Sequence, residues 1–204
     1  MNKKIPVSVI VSVKNEELNL PNCLDKLSDF SEVIVVDSNS VDKTPEVVAD
    51  YNYKLVNFKW NGRFPKKRNW TLENILIKND WVLFLDADEY LTNHFIKELT
   101  EKITQKKYKG YWLYYNNFFM GKEQKHGLKM RKLALFKKDF GRFEKIEEDN
   151  WSHLDMEIHE HPIINGNIGK FNSNILHKDY KGIEHYIARH NAYSSWEASR
   201  YLSE

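Results

Sequence analysis

Val7-Ser8-Val9-Ile10-Val11-Ser12-Val13 runs directly into Lys14-Asn15-Glu16-Glu17, and the reading of this stretch decides the fold. A short run of β-branched aliphatics bounded by polar residues reads as a strand buried on both faces, as in a parallel sheet. Working outward, Glu16 to Phe30 carries Leu18, Leu24, Leu27 and Phe30 at helical spacing, interrupted early by Pro21. Glu32 to Val36 is a second buried strand, closed by the loop Asp37-Ser38-Asn39-Ser40. Thr44-Pro45-Glu46 opens a helix, with a capping residue and Pro in the first turn. Tyr53 to Phe58 predicts a third strand, 65 to 77 a helix, Trp81 to Leu85 a fourth buried strand, and Asn93 to Thr104 another helix. Strand then helix, four times over, is the pattern of a mostly parallel sheet covered on both faces, an α/β chain of Rossmann-like type.

The texture changes near residue 109. Tyr111 to Met120 and Met130 to Phe136 are aromatic-rich strands with no helix between them, so a mixed or antiparallel extension is expected. Ile183, Tyr186, Ile187, His190, Tyr193 and Tyr201 recur at three- and four-residue steps and predict an amphipathic C-terminal helix. With 204 residues, no repeats and no Pro/Gly/Ser linker, one domain over 1–204 is expected, its halves being 1–109 and 110–204.

Composition bounds the function. Apolar residues make up 41% and Gly a further 8 of 204, the share of an ordinary globular chain and not of a disordered or collagen-like one. Lys+Arg minus Asp+Glu is 31 − 29 = +2, which gives no reason to expect a nucleic-acid partner. The lone cysteine, Cys23, cannot close an intramolecular disulfide, which fits a reducing, cytoplasmic setting and excludes a Cys-based zinc site. The apolar run Ile5 to Val13 is too short to span a bilayer and is not read as a signal peptide. Neither Gly-x-Gly-x-x-Gly nor a Walker-type loop occurs, which disfavours a dinucleotide cofactor and an NTPase. Oligomeric state is not set by any of these features.

Ligands of open α/β sheets bind beyond the carboxyl ends of the strands. Three proposed strands end there in polar groups: Ser12 to Glu17, Asp37 to Asp42, and Asp86-Ala87-Asp88-Glu89. Singly these are turns or caps; on one sheet edge they point to one crevice. If Asp86 to Asp88 is extended, the two carboxylates share a side and call for a cation between them, Mg²⁺ or Mn²⁺, which also holds phosphates. A plain capping turn is the competing reading. The basic residues Lys59, Arg63, Lys66, Lys67 and Arg68 are either a solvated face or a set that meets a nucleotide diphosphate.

Four segments carry a resemblance: Val7 to Glu17, Val35 to Thr44, Lys67-Arg68-Asn69, and Leu83 to Glu89. In order and spacing they resemble the successive motifs of family-2 glycosyltransferases, which have the GT-A fold. More weakly, Arg131 to Phe136, His159-Glu160, Leu176-His177-Lys178-Asp179-Tyr180 and the helix after them are similar to bacterial lipopolysaccharide-core and capsule enzymes, closest to the β-glucosyltransferases. The resemblance implies an inverting transfer from a UDP-sugar donor to a surface-glycan or lipid-linked acceptor. It implies a nucleotide-sugar site of Ser12, Lys14, Asn15, Glu16, Asp37, Asn39, Asp42, Lys67, Arg68, Asp86 and Ala87, with Asp37 on the uracil. It implies a metal, Mg²⁺ or Mn²⁺, held by Asp88, Asp86 and His177. Such relatives often continue past the point where this chain ends.

The segment from His153 to His161 crowds His153, Asp155, Glu157, His159, Glu160 and His161 together. It has no established zinc-ligand spacing, and it reads either as a solvated loop or as an acceptor-side loop. The resemblance favours the latter, with Glu160 as general base and Asp149 or Glu157 in reserve. The competing functions are a metal-dependent phosphohydrolase, which wants Asp-x-Asp on its first strand; a sugar nucleotidyltransferase, which wants a Gly-rich first loop; and a non-catalytic nucleotide-sugar-binding module. Tyr186, Arg189, Tyr193, Trp196, Arg200 and Tyr201 suggest peripheral contact of the last helix with the inner face of a membrane, or else packing on the sheet.

Overall fold

A computed structural model describes residues 4–127, 130–145 and 161–203. Strands β1 (Ile5–Val13), β2 (Phe30–Asp37), β3 (Lys54–Asn57) and β4 (Trp81–Asp86) form a parallel block in the order β3-β2-β1-β4. Beyond β4 the sheet continues through β8 (Arg131–Lys137), β6 (Gly110–Phe119), β11 (Ile168–His177) and β5 (Glu89–Tyr90), with β7 (Lys122–Glu123) on β6. β8 is antiparallel to β4 and β6, whereas β11 is parallel to β6. Six of the nine strands therefore run one way, and the expected mixed extension belongs to the same sheet. β9 (Gly141–Phe143) and β10 (Pro162–Ile164) form a separate pair.

The double burial expected of β1 holds. Val7, Val9 and Val11 pack on one face with Leu83, Leu85, Leu20, Leu24 and Leu99. Ile10 lies on the other with Ile34, Phe84, Phe136 and Phe143. Each of these aliphatic or aromatic side chains, taken from water, contributes roughly 1.5–3 kcal/mol.

Three of the helices are shorter than their sequence patterns. α1 spans only Leu20–Leu24. Pro21 suits a first turn, and the amides of Glu16 and Glu17 go instead to Thr44 Oγ1 (2.8 Å) and Asp42 Oδ2 (3.1 Å). α2 is Thr44–Asp50 and α3 Lys67–Asn74, the latter stopped where Ile75 turns extended. α4 (Asn93–Lys102) is capped by the Thr92 hydroxyl, which accepts from the Phe95 amide at 3.1 Å. α5 (Gly182–Ser203) is the predicted C-terminal helix. No helix of the described residues is long and apolar enough to cross a membrane.

β11 has a bulge that bears on the site. Lys170 pairs with Trp112 and Asn174 with Tyr114, so four steps on β11 match two on β6. The amides freed there, of Asn172 and Ser173, are taken by the Glu98 carboxylate of α4 at 3.0 and 2.8 Å, together with the Ser173 hydroxyl at 2.5 Å. Without such a partner each would carry a desolvation penalty. The bulge thus sets where the end of β11, and His177, comes to lie.

Candidate active site

The three strand-end loops do gather on one edge. Asn15 and Asn39 take positive φ values of 55° and 56°, a conformation that Asn tolerates better than most residues. Asn15 locks the first two loops together, and Asn39 ties the second to the end of the third strand. The Asn15 amide donates to Ser40 Oγ (2.8 Å), Asn15 Oδ1 accepts from Val41 (2.9 Å), and Asn39 Nδ2 donates to the Phe58 carbonyl (3.3 Å). Asp37, 2% exposed, accepts from the Ser40 amide and, at 2.5 Å, from its hydroxyl. Asp42 accepts from Thr44 Oγ1 at 2.6 Å; burial nudges its carboxyl up, but these donors hold it below its ordinary value. Both carboxylates brace their loops. Ser12 lies level with Asp86 in the β1–β4 register, and Lys14 is exposed.

The basic set is not simply a solvated face. Lys66 and Lys67 are 5% and 8% exposed. Lys67 Nζ donates to the Val13 carbonyl at 3.2 Å, fastening α3 under the β1 loop. Lys66 lies 5.3 Å from the Trp60 ring, Arg68 sits 5.2 Å over Phe143, and Arg68 Nη2 is 3.4 Å from Asp86 Oδ1. Lys59 and Arg63 remain exposed.

Asp86 and Asp88 do not form the extended pair expected from their spacing. β4 ends at Asp86, and Ala87, 3% exposed, and Asp88 form a turn, so the carboxylates part. Asp86 points along the sheet toward β8, where Lys132 Nζ lies 2.7 Å from Oδ2. Burial would raise the Asp86 carboxyl, but Lys132 and then Arg68 hold it well below the usual carboxylate range. Lys132 also bonds Glu89, at 3.0 Å, and Glu89 Oε1 accepts from the Tyr115 hydroxyl at 2.8 Å. Burial raises the Glu89 carboxyl against the pull of Lys132.

Asp88 faces the other way, toward the C-terminal segment. Its Oδ2 lies 3.3 Å from His177 Nε2, while His177 Nδ1 is 3.1 Å from Asn117 Oδ1. Burial would lower the imidazole pKa, but the hydrogen bond and charge of Asp88 raise it. The Asp88 carbonyl accepts from the Lys178 amide at 2.8 Å. Among the described residues no three His, Cys, Asp or Glu side chains gather round one point. The available donors are therefore one carboxylate and one imidazole. A hard divalent cation commonly uses one or two protein groups and completes its shell with water and substrate phosphates. Asp88 and His177 fit that use; Asp86, engaged by two cations of its own, does not.

The β1 loop is also tied to the segment after β11. Asn19 Nδ2 donates to Glu16 (2.9 Å) and Asp179 (3.1 Å), and its Oδ1 accepts from the Tyr180 amide (2.8 Å). Lys181 Nζ meets Glu16 Oε1 at 2.6 Å; burial still raises the Glu16 carboxyl. Arg189 of α5 reaches Asp88 and Asp179 from above. The mixed readings of α5 resolve by residue. Arg189 points at the crevice, Trp196 is 4% exposed, and Tyr186 packs on Phe119 with ring centres 5.1 Å apart, whereas Tyr201 is 79% exposed.

Lys132, Glu89, Tyr115 and Asn19 were not among the expected site residues. A lysine inside the apolar strand from Met130 to Phe136 was the one sequence signal for Lys132. Glu160, His159, Glu157, Asp155, His153 and Asp149 lie outside the described residues.

The family described as Glycosyl transferase family 2 matches residues 8–159. The lipopolysaccharide core biosynthesis glycosyltransferase LpsC of Rhizobium meliloti is 24% identical over 98% of this chain and 73% of its own. A TPR repeat-containing protein of Synechococcus elongatus is 35% identical over 48% of this chain and 24% of its own. The crystal structure of S. aureus TarS 1–349 has a TM-score of 0.58 at 21% identity, over 84% of this chain and 60% of that one, and shares the fold. The chain thus spans from about a quarter to about three quarters of these two relatives. With three quarters of its length matched by the family, the chain belongs to glycosyl transferase family 2 and has that family's α/β fold, with a large, mostly parallel central sheet.

Proposed function

We propose that residues 1–204 form one catalytic unit that moves a sugar from a UDP-sugar to a glycan or lipid-linked acceptor with inversion. The observation that carries this reading is the meeting of Asp88 and His177, at 3.3 Å, on the sheet edge where the Asn15 and Asn39 loops lock together. In this reading Ser12, Lys14, Asn15, Glu16, Asp37, Asn39 and Asp42 line the nucleoside end, with Asp37 accepting from uracil N–H. Lys67, Arg68, Asp86 and Ala87 form its floor toward the diphosphate. Asp88 and His177 would hold Mg²⁺ or Mn²⁺, which supplies positive charge against the departing diphosphate. Glu160 takes the proton of the acceptor hydroxyl as its oxygen attacks the anomeric carbon and the bond to the diphosphate breaks on the opposite side.

The acceptor is read as a bacterial surface glycan because LpsC, which covers nearly the whole chain, is named for lipopolysaccharide core biosynthesis. Peripheral contact with a membrane is read from Ile183, Ile187, Tyr201 and Leu202 on the outer side of α5, 45–90% exposed, and from Met120, 72% exposed. The phosphohydrolase and nucleotidyltransferase alternatives are disfavoured by the loops themselves. Asp-x-Asp follows the fourth strand rather than the first, and the loop after β1 lacks glycine. A non-catalytic binding module would keep the same pocket without turnover.

Thermal shift with UDP, ADP and GDP, each with and without Mg²⁺ or Mn²⁺, tests the donor. At 100 times its dissociation constant a nucleotide stabilises by roughly 2.7 kcal/mol. A shift by UDP that needs the cation supports the reading, and equal or absent shifts overturn it. Metal-dependent release of UDP from UDP-sugars then separates an enzyme from a binding module.

A further inference from the structure

Arg189 stands in the first half of α5 between two carboxylates. Its Nη1 is 3.7 Å from Asp88 Oδ2 and its Nη2 is 3.2 Å from Asp179 Oδ2. Its Nε is buried and finds no hydrogen-bond partner among the described residues. The side chain is 21% exposed, so the guanidinium is largely out of water. The Asp88 oxygen it approaches is the same one that faces His177 Nε2 at 3.3 Å. One carboxylate oxygen therefore has an imidazole on one side and a guanidinium on the other.

A divalent cation on Asp88 and a guanidinium beside the same oxygen repel each other, so the two compete for it. A guanidinium with an unfilled donor, held at the edge where a diphosphate is expected, is matched to phosphate oxygens by its forked geometry. We propose that Arg189 is a counter-ion of Asp88 and exchanges Asp88 for diphosphate oxygens when a metal–nucleotide complex binds. The inference rests on the donor reading above and adds to it a binding residue outside the expected set. It also makes α5 an element whose position answers to the donor. Asp179, the other partner of Arg189, is joined through Asn19 to the β1 loop, so both ends of the nucleotide site bear on the same helix.

Arg189→Met keeps the length of the side chain and removes the charge; Arg189→Lys keeps the charge without the fork. Two affinities are measured for each variant with an unchanged melting profile: Mn²⁺ alone, by electron paramagnetic resonance, and UDP at saturating Mn²⁺, by calorimetry. In Arg189→Met the two should move in opposite directions. Mn²⁺ alone should bind several-fold more tightly because its competitor is gone, and UDP roughly 10-fold more weakly because charge-assisted hydrogen bonds are lost. Arg189→Lys should leave Mn²⁺ near wild type and weaken UDP less. Should Arg189→Met not fold, Arg189→Lys alone decides, and wild-type UDP affinity in it overturns the inference. Unchanged or weaker Mn²⁺ binding in Arg189→Met, with wild-type protein binding UDP normally, overturns this inference alone. Wild-type protein that binds no UDP overturns the donor reading and this inference with it.

Discussion

Lys132 Nζ lies 2.7 Å from Asp86 and 3.0 Å from Glu89, so one cation bridges two carboxylates at the end of β4. Glu89 is 3% exposed, and Tyr115 and the Asp86 amide complete its bonding. Removing one partner of a buried pair leaves the other charge unsatisfied, which costs far more than the pair itself contributes. Lys132→Met should therefore destabilise by about 3 kcal/mol, the lower end of that range, because the Asp86 side chain remains part-exposed and screened. Adding Glu89→Gln should recover a large share of the loss. Urea unfolding of the single and double variants checks both signs.

Glu98 offers a pH test away from the candidate metal ligands. Burial raises its carboxyl, but the Ser173 hydroxyl and the amides of Asn172 and Ser173 outweigh this and hold it below its ordinary value of 4.5. A depressed folded-state pKa contributes stability above the unfolded value, and that contribution is lost as pH falls through the folded one. Glu98→Gln should then cost about 1–2 kcal/mol at pH 7. The gap between mutant and wild type should close as pH drops below 4.5. Denaturation midpoints from pH 7 downward read this directly, and a gap that widens in acid contradicts it.

Asp37 has a structural task beside its proposed contact with uracil, because it accepts from both the amide and the hydroxyl of Ser40. Asp37→Ala should therefore lower stability by about 1–2 kcal/mol as well as weaken UDP. Asp37→Asn keeps an acceptor for Ser40 and should separate the two effects. It should melt near wild type while binding UDP more weakly. Equal UDP affinity in calorimetry removes Asp37 from the nucleotide site.

The parallel half of the fold was legible because both its signals are local. A β-branched run such as Val7 to Val13 reports burial on both faces, and Asp37 to Ser40 reports the loop that follows. The strand-end residues were legible as a set for the same reason. What escaped depends on distant pairing. Lys132 meets Asp86 only because β8 returns antiparallel beside β4, and no local pattern encodes that partner. The turn at Ala87-Asp88 decided between the extended and the turn reading, since period-two geometry holds only while the strand lasts. Arg189 read as an interfacial residue because its helix periodicity is visible in sequence, whereas the carboxylates beneath it are not.

The general base is expected from the second half of the chain. Glu160→Gln should keep UDP affinity and lower the transfer rate by about 10² to 10⁴. Retained turnover in Glu160→Gln, with the loss in Asp149→Asn or Glu157→Gln instead, would move the role along the acidic segment.

Asp86 and Asp88, two residues apart, should answer differently to the same substitution. Asp88 shares its Oδ2 with His177, and the pair fits a cation completed by phosphates. Asp86 is held by Lys132 and Arg68, a pairing that leaves it little to offer a metal. Asp88→Asn should weaken Mn²⁺ binding at least 10-fold, since even the partners behind a metal ligand cost about 10- to 100-fold when lost. It should cost less stability than Asp86→Asn, because Arg189 keeps Asp179 and the turn is also held by the bond from the Lys178 amide to the Asp88 carbonyl. Asp86→Asn should do the reverse: Mn²⁺ affinity near wild type, but lower stability, because Lys132 and Arg68 both lose the charge they pair with. Paramagnetic titration with Mn²⁺ and urea unfolding of the two variants form a crossed pair of measurements. If both lose the metal equally, Asp86 belongs to the ligand set after all, and Lys132 must give it up when the cation binds.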